Sequence, residues 1–519
     1  MTSLSEGAST VASVAYLQRC LGYSVGVILR ISFALLHCFW ICFVLISVFF
    51  RQLRCLVTLI PLPPSSCRGS PSVVSLLLAA LFFLLAFPSA KAQTIRLWSN
   101  APASSNWNNA SDWSGGTIPS AGNLLEFSNS TITSLTNDFT AGTSFSGLLF
   151  TTGASAYTIS GNQIALTGGI TNNSTVLETI KLAISDTSLV TLTTTSGGGN
   201  LQLGGVISGS GTLSIAGSGT TTLTASNTYS GGTTLNAGTL AISNNAALGT
   251  GTVTFTGNST LAALASLGIT NNEVISNGVV GTLNSGTFLF TNSGVISGAG
   301  SLGIAGTGTT ILTGSNTYTG TTTVDGGGST LMVNAGSINS TSLLTVGSNT
   351  SGNTLILTNG GVVDSLATYE GNNTSSSNNL ILVTGVGSLL SNSSSLFIGY
   401  QGSGNSFVIS NGAVVDSSIT YAGYSNTSSN NSILVTGTNS LLSNSTYLYF
   451  GYAGSSNSLV ISNGAVVDSS ITFEGRSTTS SNNSILVTGS NSLLSSSSYL
   501  YIGDNGSSNS LVISNGGVV

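Results

Sequence analysis

An Asn-Gly pair recurs at Asn359-Gly360, Asn411-Gly412, Asn463-Gly464 and Asn515-Gly516, each 52 residues after the last, and Asp364, Asp416 and Asp468 keep step with it. Self-similarity at a fixed period constrains a fold more than any other feature here, because no single unit can bury its own apolar face and neighbours must stack into a continuous core. Within a unit, short runs such as Leu459-Val460-Ile461, Val466-Val467, Ile471-Thr472-Phe473, Ile485-Leu486-Val487 and Tyr499 to Ile502 are β-branched or aromatic-rich and are separated by Asn, Gly and Ser. These read as strands with alternating faces, and Asn359, Gly360, Asn411, Gly412, Asn463 and Gly464 are the candidate repeat turns. In such a stack, inward Val, Ile and Leu form apolar columns, while Asn, Ser and Thr at the turns hydrogen-bond to their copies on adjacent rungs.

A longer unit precedes these, its two copies 89 residues apart and anchored by Asn227-Thr228-Tyr229 and Asn316-Thr317-Tyr318. Strand and turn signals are again the whole rhythm. Composition agrees: 4% of residues are charged and 66 are glycine, so folding must rest on hydroxyls, amides and backbone pairing. The expected fold is all-β, a right-handed parallel β-helix or solenoid from Gln93 onward after an N-terminal helical leader. At roughly 20 to 25 residues per rung and about 4.8 Å per rise, it makes a rod on the order of 80 to 100 Å long.

Charge and chemistry are unevenly distributed. All five cysteines and the only histidine lie before residue 70. Beyond Ala92 the basic residues are Arg96, Lys181 and Arg476, against thirteen carboxylates, a formal charge of −10. Nucleic-acid binding is disfavoured, and no disulfides staple the rod. A His-dependent triad and a Cys nucleophile are impossible there. Asp364, Asp416 and Asp468 line up along the rod, but a catalytic carboxylate pair is ordinarily made once rather than copied down a surface. The expectation is no catalytic residues, no cofactor and no metal. His37, Cys38 and Cys42 sit within an apolar stretch that suits no metal, and the repeated Asp residues read as turn caps rather than calcium ligands.

The leader holds two apolar stretches. Val73 to Phe87 follows Arg68 and runs into Pro88-Ser89-Ala90-Lys91-Ala92-Gln93, a secretory signal with small Ala90 and Ala92 where a signal peptidase accepts them, so cleavage is expected between Ala92 and Gln93. Ile31 to Phe50 is long enough to cross a bilayer as a helix; either it is an upstream membrane segment or translation starts further downstream. The organisation read from these signals is residues 1–70 leader extension with a transmembrane helix at 31–50, 71–92 signal peptide, 93–200 cap and first rungs, 201–340 the two longer units, and 341–519 the 52-residue repeats. Trp98, Trp107 and Trp113 cluster just after the cleavage site. They read as a cap over the first rung, with a sugar-stacking platform as the alternative.

The segment from Val206 to Leu240 carries Gly209, Gly211, Leu213, Gly217, Gly219, Leu223, Asn227, Thr228, Tyr229, Gly231, Gly232, Thr233, Gly238 and Leu240, and in this it resembles the autotransporter-associated, passenger-associated β-strand repeat. The 52-residue units resemble the type V secretion and PEP-CTERM-associated repeat, through Leu459 to Gly464 and Gly489 to Gly503. The resemblance implies a passenger exported through an outer-membrane translocator barrel, to the cell surface or beyond. The sequence stops at Val519 in the middle of a repeat, ahead of any C-terminal barrel of the family's kind, and is expected to be a fragment or to have its barrel encoded elsewhere. The expected function is a non-catalytic surface rod or adhesin whose acidic, hydroxyl-rich flank meets host, matrix or neighbouring cells, a cell-surface or matrix polysaccharide being the candidate partner. The alternative is a secreted β-helix that binds or degrades carbohydrate.

Overall fold

The computed structural model describes residues 93–195 and 199–519. The leader readings, including the apolar stretches and the cleavage-site residues Ala90 and Ala92, lie outside these; Gln93 is the first described residue, and its amide reaches Ser146 Oγ at 2.5 Å. Residues 92–519 form a compact unit of their own.

Every strand ladder in this unit is parallel, and the chain winds as a solenoid of about 16 turns. At a strand spacing of about 4.8 Å the rod is on the order of 75 to 80 Å long, at the short end of the expected range because its later coils are longer than assumed. The only helix among the described residues is one 3-10 turn, Ala110–Asp112.

In the first half a coil carries three short strands on three faces, for example Ile184–Asp186, Val190–Thr194 and Leu201–Leu203. From Ser337 on it carries one long strand and one short one, for example Val414–Ala422 and Ser432–Thr436. The long strand turns a corner at a register shift between Ser417 and Ile419. That irregularity inserts a residue, so the inward parity flips within a single strand. Inward columns such as Ile381, Phe407, Ile433, Leu459 and Ile485 are at most 1% exposed. Each coil thus closes its core only against its neighbours, as stacking requires.

One 52-residue unit makes two coils. Short strands start every 26 residues, at Ser406, Ser432 and Ser458. Long strands start at Val414, Leu441 and Val466, alternately 27 and 25 residues apart. Two different corners cause the alternation: Ser462 leads to Val466 through Asn463-Gly464-Ala465, whereas Thr488 leads to Leu493 through the longer Gly489-Ser490-Asn491-Ser492.

The Asn-Gly pairs occupy the shorter corner. Asn359, Asn411 and Asn463 have φ of 53°, 56° and 55°, and Gly360, Gly412 and Gly464 follow at about 80°. Two successive positive φ values are what Asn-Gly supplies cheaply. The corner joins strands of two different sheets rather than a hairpin, and it is tied to the next coil by Gly412 N–H donating to Ser440 Oγ at 3.0 Å and Gly464 N–H to Ser492 Oγ at 3.1 Å. Because Asn411 is exposed and glycine accepts positive φ freely, Asn411→Gly is expected to change stability by less than about 1 kcal/mol, checked by chemical denaturation.

The work of holding coils together falls to a different set of asparagines. Asn353, Asn379, Asn405, Asn431, Asn457, Asn483 and Asn509 form one column with a 26-residue step. Asn405 donates both its backbone N–H and its Nδ2 to Asn431 Oδ1 at 3.0 Å, and Asn431 does the same to Asn457. Glycines with φ near 65° lie against this column: an added Cβ on Gly399 would come within 2.4 Å of Asn431 Oδ1, and one on Gly423 within 2.4 Å of Asn457 Nδ2.

The N-terminal end is closed by the tryptophans. Trp98, Trp107 and Trp113 are at most 2% exposed. Trp98 and Trp113 meet edge-to-face at 5.1 Å, and Trp107 lies 6.1 Å from Phe127 and 6.0 Å from Phe145 of the first coils. The loop above them is pinned by buried Asp112, which accepts from the N–H groups of Ala103 at 2.6 Å and Ser104 at 2.9 Å. Indole faces buried in this way leave none free for a sugar to stack on.

Candidate functional site

Tyr229 and Tyr318 are buried side chains of the two longer units, and each donates or accepts at 2.6 Å with a Thr four residues on, Thr233 or Thr322. Two residues before each tyrosine, an asparagine spans three coils. Asn227 Oδ1 accepts from Ile207 N–H at 2.8 Å in the coil before, and its Nδ2 donates to Ala247 O at 2.6 Å in the coil after. Asn316 repeats this with Ile296 N–H at 2.9 Å and Ser337 O at 2.9 Å. The Asn-Thr-Tyr of the motif is therefore a staple between coils with an aromatic plug beside it. The two copies do not share faces: Thr233–Leu235 pairs with Leu213–Gly217, whereas its counterpart Thr322–Val324 pairs with Ser301–Ala305, on the sheet that holds Thr220–Leu223. A separation of 89 residues is not a whole number of coils, so the motif encodes a local staple and not a face.

The outward surface of one sheet is a single column that changes character along the rod. Thr220, Thr239, Thr260 and Thr282 are neighbours in register, beside a shallow, open, uncharged groove that Ser218, Asn258 and Val280 also line. The same column continues through Thr323 and Thr345 to Tyr369, and from there it is aromatic: Phe397, Tyr421, Tyr449, Phe473 and Tyr501. Successive rings are 4.8 to 5.1 Å apart with interplanar angles of 15° or less. A second column, Tyr400, Tyr424 and Tyr452, stacks beside it at 4.9 and 5.2 Å. Rings of the two columns meet at 81° to 89°.

Strand spacing explains this herringbone. Carbon faces touch at about 3.5 Å, so rings spaced by one strand must tilt by about 45° to stay in contact, and two columns tilted oppositely meet near a right angle. Stacking covers most of each face, leaving ring edges and phenol oxygens outward. Burial, followed by neighbouring phenols, raises the pKa values of Tyr369, Tyr421, Tyr424 and Tyr449, that of Tyr421 to about 12, so these four hydroxyls stay protonated. The next position of the second column is Arg476, which lies 4.8 Å over Phe473 and pairs with Asp504. Tyr424→Ala is expected to cost about 1–2 kcal/mol and to weaken the near-UV circular dichroism; an unchanged near-UV spectrum would show that the rings are not coupled.

Asp416 and Asp468 are exposed on the same sheet, each flanked in register by serines: Ser391 and Ser443 beside Asp416, Ser443 and Ser495 beside Asp468. They project side by side from one flank about two strand spacings, roughly 10 Å, apart, and do not converge across a cleft. Among the described residues, no group of three or more His, Cys, Asp or Glu side chains is placed to hold a metal ion.

The acidic flank expected from the net charge is weaker than the sequence count implies, because four glutamates point into the core. Glu178, Glu273, Glu370 and Glu474 are all 0% exposed. Glu178 accepts from Tyr157 N–H at 2.7 Å and Ser174 Oγ at 3.0 Å. Glu273 accepts from Asn292 Nδ2 at 2.9 Å, its other oxygen unpartnered. Glu370 lies near the N–H groups of Ile381 and Ser406 but outside hydrogen-bonding geometry. Burial disfavours the ionised form: it lifts Glu178 and Glu474 to about 7 and Glu273 to about 8, and Glu370 well above the usual range.

With the architecture defined as an all-parallel β-solenoid, the comparisons place its repeats. Residues 216–242 and 305–331 match the family Passenger-associated-transport-repeat, and these are the two segments that hold the Asn-Thr-Tyr staples. A β-solenoid carrying this repeat twice fits an autotransporter passenger, a class exported through a translocator barrel to the cell surface or the extracellular space. No curated protein and no solved structure matches the chain.

Proposed function

We propose that this chain is a non-catalytic surface rod or adhesin, released from its leader between Ala92 and Gln93. The observation that carries the reading is the pair of passenger-associated transport repeats built as coil-to-coil staples into one continuous solenoid. Ladders of identical side chains lend the rod length and stiffness, and a structure whose coils interact only with neighbours can fold progressively as it emerges from a barrel. The outward columns are dominated by hydroxyls, amides and tyrosine edges, groups suited to many weak, repeated contacts.

The test compares adhesion of cells that produce the chain with cells that lack it, on matrix, host-cell and polysaccharide surfaces, while soluble products are assayed. Increased adhesion without product release is expected. Sustained release of soluble sugars that disappears on Asp416→Asn would favour the carbohydrate-degrading alternative.

A further inference from the structure

The outward face of the short strands differs from the aromatic flank. From Leu380–Thr384 to Ser510–Ser514 these strands pair in register, and their outward side shows three columns. The central column is aliphatic: Leu382, Val408, Leu434, Val460 and Leu486, all half-buried. On one side stand Ser406, Ser432, Ser458 and Ser484; on the other, Thr and Ser alternate. No charged residue lies in these strands.

The alternating column has fixed hydrogen-bond polarity. Thr436 Oγ1 accepts from Ser462 Oγ at 2.9 Å and from Asn463 Nδ2 at 2.9 Å. Thr384 accepts from Ser410 at 2.9 Å and Asn411 at 3.0 Å, and Thr488 from Ser514 at 2.9 Å and Asn515 at 3.1 Å. A hydroxyl has two lone pairs and one hydrogen. With both lone pairs occupied, each of these threonines must turn its own hydrogen outward, and none of the three donates to a protein acceptor among the described residues. The donors recur every 52 residues, hence at every second coil, about 9.6 Å apart. The Asn-Gly corner therefore aims a row of hydroxyl donors along one edge of an apolar stripe.

We infer that this face binds a linear, uncharged, β-linked polysaccharide lying along the rod axis. A flat two-fold ribbon of pyranoses offers an apolar C–H face to the aliphatic stripe and turns the same hydroxyl to the same edge on every second sugar, roughly two strand spacings. The flanking columns lie two residues, about 6.7 Å, from the stripe. A hydrogen bond of about 2.8 Å inward from them therefore meets the equatorial hydroxyls of a ribbon centred on it. Lack of charge on both sides removes any desolvation cost of ions. Each contact is weak, so affinity must rise with chain length through multivalency.

The proposal rests on the displayed-rod reading, and its test keeps the two apart by measuring surface display and binding on the same material. The full chain, with display checked by antibody labelling of intact cells, is assayed for retention on cellulose and chitin, with helical amylose as the control. Retention on a β-linked ribbon, with little on amylose, is expected. Leu434→Lys with Val460→Lys should lower it at least tenfold, and Thr436→Val with Thr488→Val severalfold. Protease resistance of each variant reports whether the rod is intact, and the threonine pair keeps the test open if the lysine pair unfolds. Retention that ignores both pairs, absence of retention on either ribbon, or a face that instead associates with a second copy of this chain would overturn the inference. Loss of display alone would refute the rod reading.

Discussion

Replacing Asn431 by alanine is expected to destabilise the repeat half of the rod by about 3–5 kcal/mol, far more than Asn411→Gly. Asn431 Oδ1 accepts two hydrogen bonds from Asn405, and its Nδ2 donates to Asn457 Oδ1 at 3.0 Å and to Ser428 Oγ at 2.9 Å. Alanine removes the acceptor, leaving the Asn405 N–H and Nδ2 unsatisfied where water does not reach; each such orphan costs roughly 1–3 kcal/mol. Coils contact only their neighbours, so the damage stays local. Hydrogen exchange should accelerate in Ser406–Ser410, Ser432–Thr436 and Ser458–Ser462, while strands near the tryptophan cap keep their protection. Uniform acceleration along the chain, or none, would show that the column does not hold coils together individually.

The rod is expected to be most stable in mildly acidic solution and to weaken as pH rises from about 5 to about 8. Glu178, Glu273, Glu370 and Glu474 all have raised pKa values in the folded state, burial being the first cause in each. Between the unfolded value and the folded one, the native state binds more protons than the unfolded chain, so ∂ΔG/∂pH of unfolding is negative. The stability Glu178, Glu273 and Glu474 contribute is complete below the unfolded value and is lost as pH passes through about 7 to 8. Glu273 alone, at 1.36 kcal/mol per unit, accounts for on the order of 4–5 kcal/mol. Denaturation midpoints at pH 5 and pH 9 measure the loss, and Glu273→Gln, which keeps an oxygen for Asn292, should flatten the dependence. A midpoint that rises with pH would contradict the burial of these carboxyls.

The stacked β architecture was legible because identical Asn-Gly corners return at a fixed interval. Coil length was not legible. Asn405 and Asn431 have the same role, yet their contexts, Gly-Asn-Ser-Phe-Val and Asn-Asn-Ser-Ile-Leu, differ enough that only the two-coil period stands out. The asparagines marked by sequence are exposed corners, while those that carry the ladder were passed over. The interior glutamates were hidden for a different reason: strict alternation from Val467 places Glu474 outward with Asp468, but the register shift between Ser469 and Ile471 reverses the parity and turns it inward. The aromatic seam had a signal in Tyr421 and Phe473, and in Tyr449 and Tyr501, each pair 52 residues apart. The half-repeats had to be interleaved before they became one column.

Proteolysis of intact cells producing the chain, followed by N-terminal sequencing of the β-rich product, tests the account most directly. A protease-resistant rod accessible from outside, beginning at Gln93, is the expected result. A chain that is shielded from protease until the cells are broken would contradict its assignment as an exported, surface-displayed solenoid.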